Sequence, residues 1–496
     1  MIERELRFTG DHMELFAAAS GDRSPLHTDP AFARRTSFGE CIVYGGLLSI
    51  GMLGLLPAEV LAGVRSVRSQ FPGPVLPGAS TTARAQSRGD RAAEWEVVLS
   101  GRGKVLARLV ATTGAGVPAS FDQAAVLERF AASAGRGGDD EIAGDYRPGA
   151  ELAELARGFG LERLEPAVLE GIAWASNVVG MTIPGFDGLC AAVTIVSAGA
   201  VAPGAAARQW IRRRAYDERT DRLLIEGVLA DDADVPRSIG LIECFPFSPT
   251  PLPDSVALTA EGPLEPAQRT AVVVGASRGV GAALSLALLA RGYAVHAIYW
   301  SSAEQADELI RLAGPFATRL SLHRIDAADP ASVSAVARLV GPSIDGVALC
   351  AAPPALPMGL TGESAAELAD YVARSVSLAA VPLASLLPLL AREDAWVLFC
   401  SASAVTNPSR ELPQFTVAKA ALEGLARWVA ATTPNGRILL ARPSRVRTDL
   451  VNTPSGRLAA VAPDALAATI VGRLATGDLA HGLSIVDLDE AAVSAV

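Results

Sequence analysis

The segment from Thr270 to Ala290 leaves the fewest options open. Thr270-Ala-Val-Val-Val274 is a short apolar run without an alternating polar face, as expected of a strand buried on both sides. It leads directly into Gly275-Ala-Ser-Arg-Gly279-Val-Gly281 and then into an apolar helical stretch, Ala282 to Ala290. A strand, a glycine turn and a helix in that order open a βαβ unit, and strand and helix periods then alternate over residues 268–490. This predicts a doubly wound parallel sheet. Glycines at 275, 279 and 281 let the backbone turn tightly and approach a pyrophosphate, whose charge a helix N-terminus favours.

Upstream the texture changes. At 496 residues the chain has room for about three domain-sized units. A proline-rich connector, residues 251–267 with Pro249 just before it, marks the clearest boundary. In residues 1–115 the apolar run Cys41 to Leu56 predicts a buried central helix. Strand patterns follow at Val64–Phe71, Ser80–Arg88, Ala93–Ser100 and Lys104–Thr112. Residues 116–149 read as a linker with one short helix, Asp122–Ala132. Residues 150–250 repeat the scheme: a helix at Leu169–Met181, then strands near Leu189–Ser197, Gln209–Asp217, Leu223–Leu229 and Ile239–Phe245. The pattern by itself gives α+β for this part.

Chemistry concentrates in Ser20 to Ala33, which reads SGDRSPLHTDPAFA. Asp22 and His27 lie five residues apart with Pro25 between them, so the segment bends and is no mid-helix turn. An acid and an imidazole this close can serve one proton path, as adding or removing water requires. Asp29 either orients His27 or starts a helix at Pro30.

The wording around the pair resembles the MaoC-like, R-specific enoyl-thioester hydratases. The likeness runs through Phe16-Ala-Ala-Ala-Ser-Gly-Asp22, Pro25-Leu26-His27, Ile42-Val43-Tyr44-Gly45-Gly46-Leu47-Leu48 and Phe71-Pro72-Gly73-Pro74. The resemblance implies a hotdog fold, with Asp22 and His27 as acid and base. The substrate it implies is a 3-hydroxyacyl or 2-enoyl thioester on coenzyme A or an acyl carrier protein. The backbone N–H groups of Gly45 and Gly46 would polarise the thioester carbonyl; tight helix packing explains the same glycines equally well. Tyr44 stands where the family has His, which alters the tunnel or adds a hydrogen bond. Gly180-Met181-x-Ile183-Pro184-Gly185 resembles the second, non-catalytic half of double-hotdog members. The expected architecture is thus an α+β double hotdog followed by an α/β Rossmann-type doubly wound parallel sheet. The hydratase reaction needs no cofactor.

The C-terminal part resembles the short-chain dehydrogenase/reductases, through GASRGVG, His323-Arg-Ile-Asp326-Ala and Lys419 in Phe415-Thr-Val-Ala-Lys419. That implies cofactor contacts at Gly275, Ser277, Arg278, Gly279, Gly281, Asp326 and Lys419. Strand two ends at Tyr299-Trp300-Ser301 without an acidic residue, and Arg278 can pair with a 2′-phosphate, so NADP is the expected nucleotide. The family's reducing residues are eroded. Phe415 replaces the Tyr acid, Ser377 the Asn, Leu349-Cys350-Ala351-Ala352 an Asn-Asn-Ala-Gly segment, and Pro443-Ser444 a Pro-Gly. Ser401 or Ser403 remains with Lys419. A degenerate, non-reducing domain is the expectation, with a bifunctional NADPH-dependent 3-ketoacyl reductase/dehydratase as the alternative. A hotdog cyclase or an acyl-binding scaffold would also fit.

Net charge of −10 excludes a typical nucleic-acid binder. Five scattered cysteines without paired spacing predict a reducing, cytoplasmic setting and no metal site. The longest uncharged run, Gly188 to Ala207, carries Pro203 and small residues, so no membrane contact is expected. The N-terminus, charged from its third residue, is unlike a secretory signal. Arg34-Arg35 and Arg212-Arg213-Arg214 could meet an acidic carrier or the phosphates of coenzyme A. A homodimer is expected.

Overall fold

The computed structural model describes every residue except 89–93, 115–120, 134–139, 200–205, 248–266, 268, 391–394, 434, 453–455, 457, 476–478 and 495–496. Almost all of the proline-rich connector therefore lies outside the described residues, as does the start of the 116–149 stretch. The chain divides into two units, Met1–Ser248 and Pro249–Val496.

In the first unit β1 (Ile2–Arg7) precedes helix α1 (Gly10–Ser20) and helix α2 (Gly45–Leu53). Strands β2 (Val64–Gln70), β3 (Ser80–Ser87), β4 (Glu94–Gly101) and β5 (Lys104–Thr113) follow. Then come helix α3 (Gln123–Ser133), β6 (Glu141–Tyr146) and helix α4 (Pro166–Asn177). Strands β7 (Gly188–Ser197), β8 (Ala207–Asp217), β9 (Arg222–Ala230) and β10 (Pro236–Pro246) complete it. All ten strands join one antiparallel sheet in the order β1-β3-β4-β5-β2-β7-β10-β9-β8-β6. That order is a palindrome of one scheme, with β6 to β10 repeating β1 to β5. The β2–β7 pairing, Val67 opposite Ile195, is the seam. This sheet around central helices is the hotdog arrangement.

Two sequence expectations change here. The central helix begins at Gly45 instead of Cys41, because Cys41 to Tyr44 is extended and the Val43 N–H bonds the Val75 carbonyl. The supposed linker carries β6, which pairs with β8 as the counterpart of β1. It also carries α3, whose Val126 is buried in a cluster with Trp210, Val228 and Ile239. The C-terminal end of the second central helix departs from α geometry: Val178–Thr182 forms a π turn, in which the Ile183 N–H bonds the Val178 carbonyl.

In the second unit the strands are β11 (Arg269–Val274), β12 (Tyr293–Tyr299), β13 (Leu320–Arg324), β14 (Gly346–Leu349), β15 (Trp396–Cys400), β16 (Arg437–Pro443) and β17 (Gly482–Leu488). They form one parallel sheet in the order β13-β12-β11-β14-β15-β16-β17, the doubly wound Rossmann arrangement. Helix α5 (Gly279–Ala290) follows β11; α6 (Ala365–Leu386) and α7 (Pro413–Thr432) flank β15 in sequence. Buried residues of the two sheet faces form separate clusters, one with α5 and one with α6 and α7. Among the described residues, one helical stretch, Ala365–Leu389, is long and apolar enough to cross a membrane by length and composition.

Candidate active site

The acid–base segment is held by its own backbone. α1 ends at Gly21 in the left-handed region, which turns the chain into the bend that carries Asp22. The Asp22 carboxyl accepts the Ser24 N–H on Oδ1 at 3.0 Å and the Ser176 hydroxyl on Oδ2 at 2.7 Å. Ser176 lies on α4, so the second half of the sheet reaches across to orient the acid of the first. Tyr44, fully buried, donates its hydroxyl to the Asp22 carbonyl at 3.0 Å, and its ring lies 3.9 Å from the His27 ring. Of the two roles open for Tyr44, the hydrogen bond is the one it takes.

His27 Nδ1 lies 2.7 Å from the Ile42 carbonyl. A carbonyl only accepts, so Nδ1 carries the proton and Nε2 keeps a free lone pair. The imidazole is thereby oriented by Ile42, and Asp29 has the other role: it caps the turn at Pro30 by accepting the Ala31 N–H at 2.8 Å.

Asp22, His27, Gly45 and Gly46 line one cavity with Ser176, Gly180, Ile172, Val179 and Val193 of the second half. Its free space is about 20 Å³, room for one water molecule. Gly45 and Gly46 open α2, where no side chain caps the free N–H groups. Packing also demands glycine there. A Cβ on Gly45 would lie 2.7 Å from the Phe71 ring, and one on Gly46 2.5 Å from the Phe16 ring. Packing therefore accounts for glycine at both positions, and both also line the cavity.

Burial dominates the electrostatics. It pushes the Asp22 carboxyl above the usual range, against the pull of His27, Ser176 and the Ser24 N–H. It pushes His27 below its usual value, against the Asp22 charge and the Ile42 bond. Each shift favours the uncharged form, a protonated acid beside a neutral base. Such a pair can give one proton and take another, on adjacent atoms of one substrate.

Ser176 and Gly180 are the residues that sequence reasoning missed. They sit four apart on a helix-and-π-turn segment otherwise lined with apolar residues. For Ser176, a polar residue on a mostly apolar buried helix is the signal that could have found it; Gly180 carries no such signal.

In the second unit the glycine loop keeps its bare backbone. A Cβ on Gly275, at φ +83°, would meet the Ala351 nitrogen at 2.6 Å, and one on Gly281 the Gly275 carbonyl at 2.1 Å. Gly279, also at positive φ, and Ser277 complete the loop at the head of α5. Arg278 pairs with Asp449 at 3.1 Å, and Asp326 accepts from Arg374 at 2.8 Å and from the Ala328 N–H at 2.9 Å. The cradle thus fits a dinucleotide, with Arg278 and Asp326 already engaged to protein partners. Lys419 donates to the Cys400 carbonyl at 2.7 Å and lies 5.5 Å from the centre of the Phe415 ring.

The degenerate reductase set needs correction at Ser401. Its hydroxyl donates to Glu423 at 2.9 Å, and Glu423 is held by Arg442. That leaves the half-buried Ser403 as the remaining serine. Ser377 is half-buried and donates to the Ala373 carbonyl. Tyr371 donates to the Pro353 carbonyl at 3.1 Å, and burial pushes its phenol up. Of the arginine run, Arg212 reaches the buried Glu226 at 3.2 Å and Arg213 pairs with Asp140.

The family model described as MaoC like domain matches residues 2–107, and the one described as short chain dehydrogenase matches residues 269–455. The (R)-specific enoyl-CoA hydratase of Aeromonas caviae is 40% identical over 84 residues, 16% of this chain. The chain spans 62% of that relative's length. Similar solved structures include a dehydrogenase/reductase of Sinorhizobium meliloti, at 20% identity and a TM-score of 0.41, over 48% of this chain and 97% of that one. Another is the 3-ketoacyl-(acyl-carrier-protein) reductase of Brucella melitensis, complexed with NADH. It is 18% identical, with a TM-score of 0.41 over 46% of this chain and 98% of that one.

Proposed function

We propose that this chain, a MaoC-like hotdog domain joined to a short-chain-dehydrogenase-like domain, is a hydratase/dehydratase of 3-hydroxyacyl and 2-enoyl thioesters. The observation that carries the reading is the Asp22/His27 pair sharing one cavity with the open N-terminus of α2, where burial favours the uncharged form of each. In dehydration His27 Nε2 takes the α-proton. The protonated Asp22 gives its proton to the departing 3-hydroxyl, so water leaves and a C2–C3 double bond forms. The Gly45 and Gly46 N–H groups hold the thioester oxygen as it gains charge, with the positive helix end behind them. Hydration runs the same steps backwards, on a water held in the space between the pair. The carrier is coenzyme A or an acyl carrier protein. In the double-hotdog division that supports this site, residues 1–115 are the catalytic half, and the non-catalytic partner runs to residue 250 and begins before 150, with β6.

The sign of the pH dependence follows from the two shifts. Dehydration falls below the lowered His27 value, where the base is protonated. It falls again above the raised Asp22 value, where the acid has lost its proton; both apparent values belong to the pair. Ser176→Ala removes a hydrogen bond that favours the carboxylate, so the upper limb should move to higher pH by about one unit. A pH–rate profile checks this. An unmoved upper limb with a uniformly lower rate would reduce Ser176 to a packing role.

For the second unit we propose NADP(H) binding, with Gly275, Ser277, Gly279 and Gly281 at the pyrophosphate and Arg278, Asp326 and Lys419 at its two ends. The bound nucleotide would supply a hydride. Two readings differ in whether this chain uses it. The intact glycine cradle and the family match favour a ketoacyl reduction preceding the dehydration. Phe415, with no proton to give, favours a nucleotide-holding, non-reducing domain. Purified protein given NADPH and a 3-ketoacyl thioester decides. Turnover establishes the bifunctional enzyme, whereas tight NADPH binding without turnover leaves the hydratase as the chain's activity.

A further inference from the structure

Two cysteines that neither reaction uses end neighbouring strands of the parallel sheet. β14 and β15 pair in register up to Leu349 opposite Phe399; Cys400 closes β15 and Cys350 is the residue after β14, at the matching position. Neighbouring strands lie about 4.8 Å apart, within the Cα range a disulfide spans. The side chains share a face. Ala348 and Leu398, two residues earlier on each strand, belong to one buried cluster, and Cys350 packs against that same cluster. Each thiol shifts the proton affinity of the other, and both residues are half-buried. The Cys350 thiol, with the Lys419 ammonium, outweighs burial and brings Cys400 down to about 7. Cys350 is correspondingly raised. The sheet order reverses between β11 and β14, so the carboxyl ends of these strands border the crevice where a doubly wound sheet takes its ligands.

We propose that Cys350 and Cys400 are a reactive dithiol site, converted by hydrogen peroxide into a disulfide at the edge of the nucleotide crevice. The Cys400 thiolate attacks one peroxide oxygen. An S–O bond forms, the O–O bond breaks, and hydroxide leaves, taking up a proton as water. The Cys350 sulfur then attacks the Cys400 sulfenic acid, forming the S–S bond and releasing the second water. The two thiols lose two electrons and two protons, and one peroxide becomes two waters. A second facing pair, Cys190 and Cys244 on β7 and β10, is the internal comparison: burial pushes both of those thiols up, away from the reactive thiolate.

The full chain, reduced and freed of reductant, is treated with hydrogen peroxide and then denatured for thiol counting and peptide mass mapping. Free thiols should fall from five to three, with a cross-linked peptide pair carrying Cys350 and Cys400 that dithiothreitol separates. In Cys350→Ser a sulfenic acid should be trapped by dimedone at Cys400, and in Cys400→Ser none at Cys350. Five thiols remaining, a bridge mapped to Cys190 and Cys244, or trapping at Cys350 in Cys400→Ser would overturn the proposal. It stands apart from the hydratase reading, which this experiment does not touch.

Discussion

His27→Ala should lower kcat/KM for hydration of an enoyl thioester by about 10²–10⁴-fold, the span that a positioned general base contributes. Neither Asp29 nor Tyr44 can take its place: Asp29 is engaged as a cap, and Tyr44 is a donor whose phenol burial pushes up. Asp22→Asn should fall in the same range. The amide oxygen can keep the Ser24 N–H bond while Ser176 turns to accept from the amide NH2, so the bend survives, but the amide has no acidic proton to transfer. Because the two residues serve one proton path, the double variant should be little worse than either single one. Absorbance loss of the enoyl thioester measures the rates, and a melting curve separates lost chemistry from lost fold. Rates within threefold of the parent in both variants would sink the mechanism.

Gly180→Ala should be nearly as damaging, although it removes no functional group. A Cβ there would lie 2.0 Å from Asp22 Oδ1 and 2.6 Å from its Cγ. Asp22 has a short side chain anchored at both oxygens, so relief requires rotating the carboxyl away from Ser176 and the Ser24 N–H or shifting the π turn. Misplacing a catalytic group by about 1 Å costs on the order of 10²-fold. Overpacking of this kind costs roughly 1–3 kcal/mol in stability as well. Steady-state kinetics with thermal melts on the same preparation test both parts. If activity is retained and only the melting point drops, Gly180 serves packing alone.

Much of this was legible from the chain itself, for reasons of distance along it. Asp22, His27 and the Gly45-Gly46 helix start lie within one short segment, so their chemistry could be read from local wording. The same holds for the Gly275 loop, where strand, turn and helix are contiguous. Ser176 could not be read that way: it meets Asp22 from 154 positions away, and only the folded sheet joins them. β6 was missed because an edge strand with mostly exposed residues has no alternating apolar face to betray it. The two roles left open for Tyr44 and for Asp29 turned on tertiary partners, the Asp22 and Ile42 carbonyls, that no spacing rule reveals. The Ser401 reading failed for the same reason: Glu423, which takes its hydroxyl, comes from α7.

The palindromic sheet has a consequence for how such a protein can change over time. Where two identical copies meet across a two-fold axis, every substitution is made twice, and a residue good for one side must be tolerated on the other. Here β2 and β7 meet within a single polypeptide, and each side of the seam is encoded separately. A change that suits Ser176 or Gly180 need not suit their counterparts in the first half. Inheritance of the two sides has become independent, so one could specialise in proton transfer while the other was free to become its fitting.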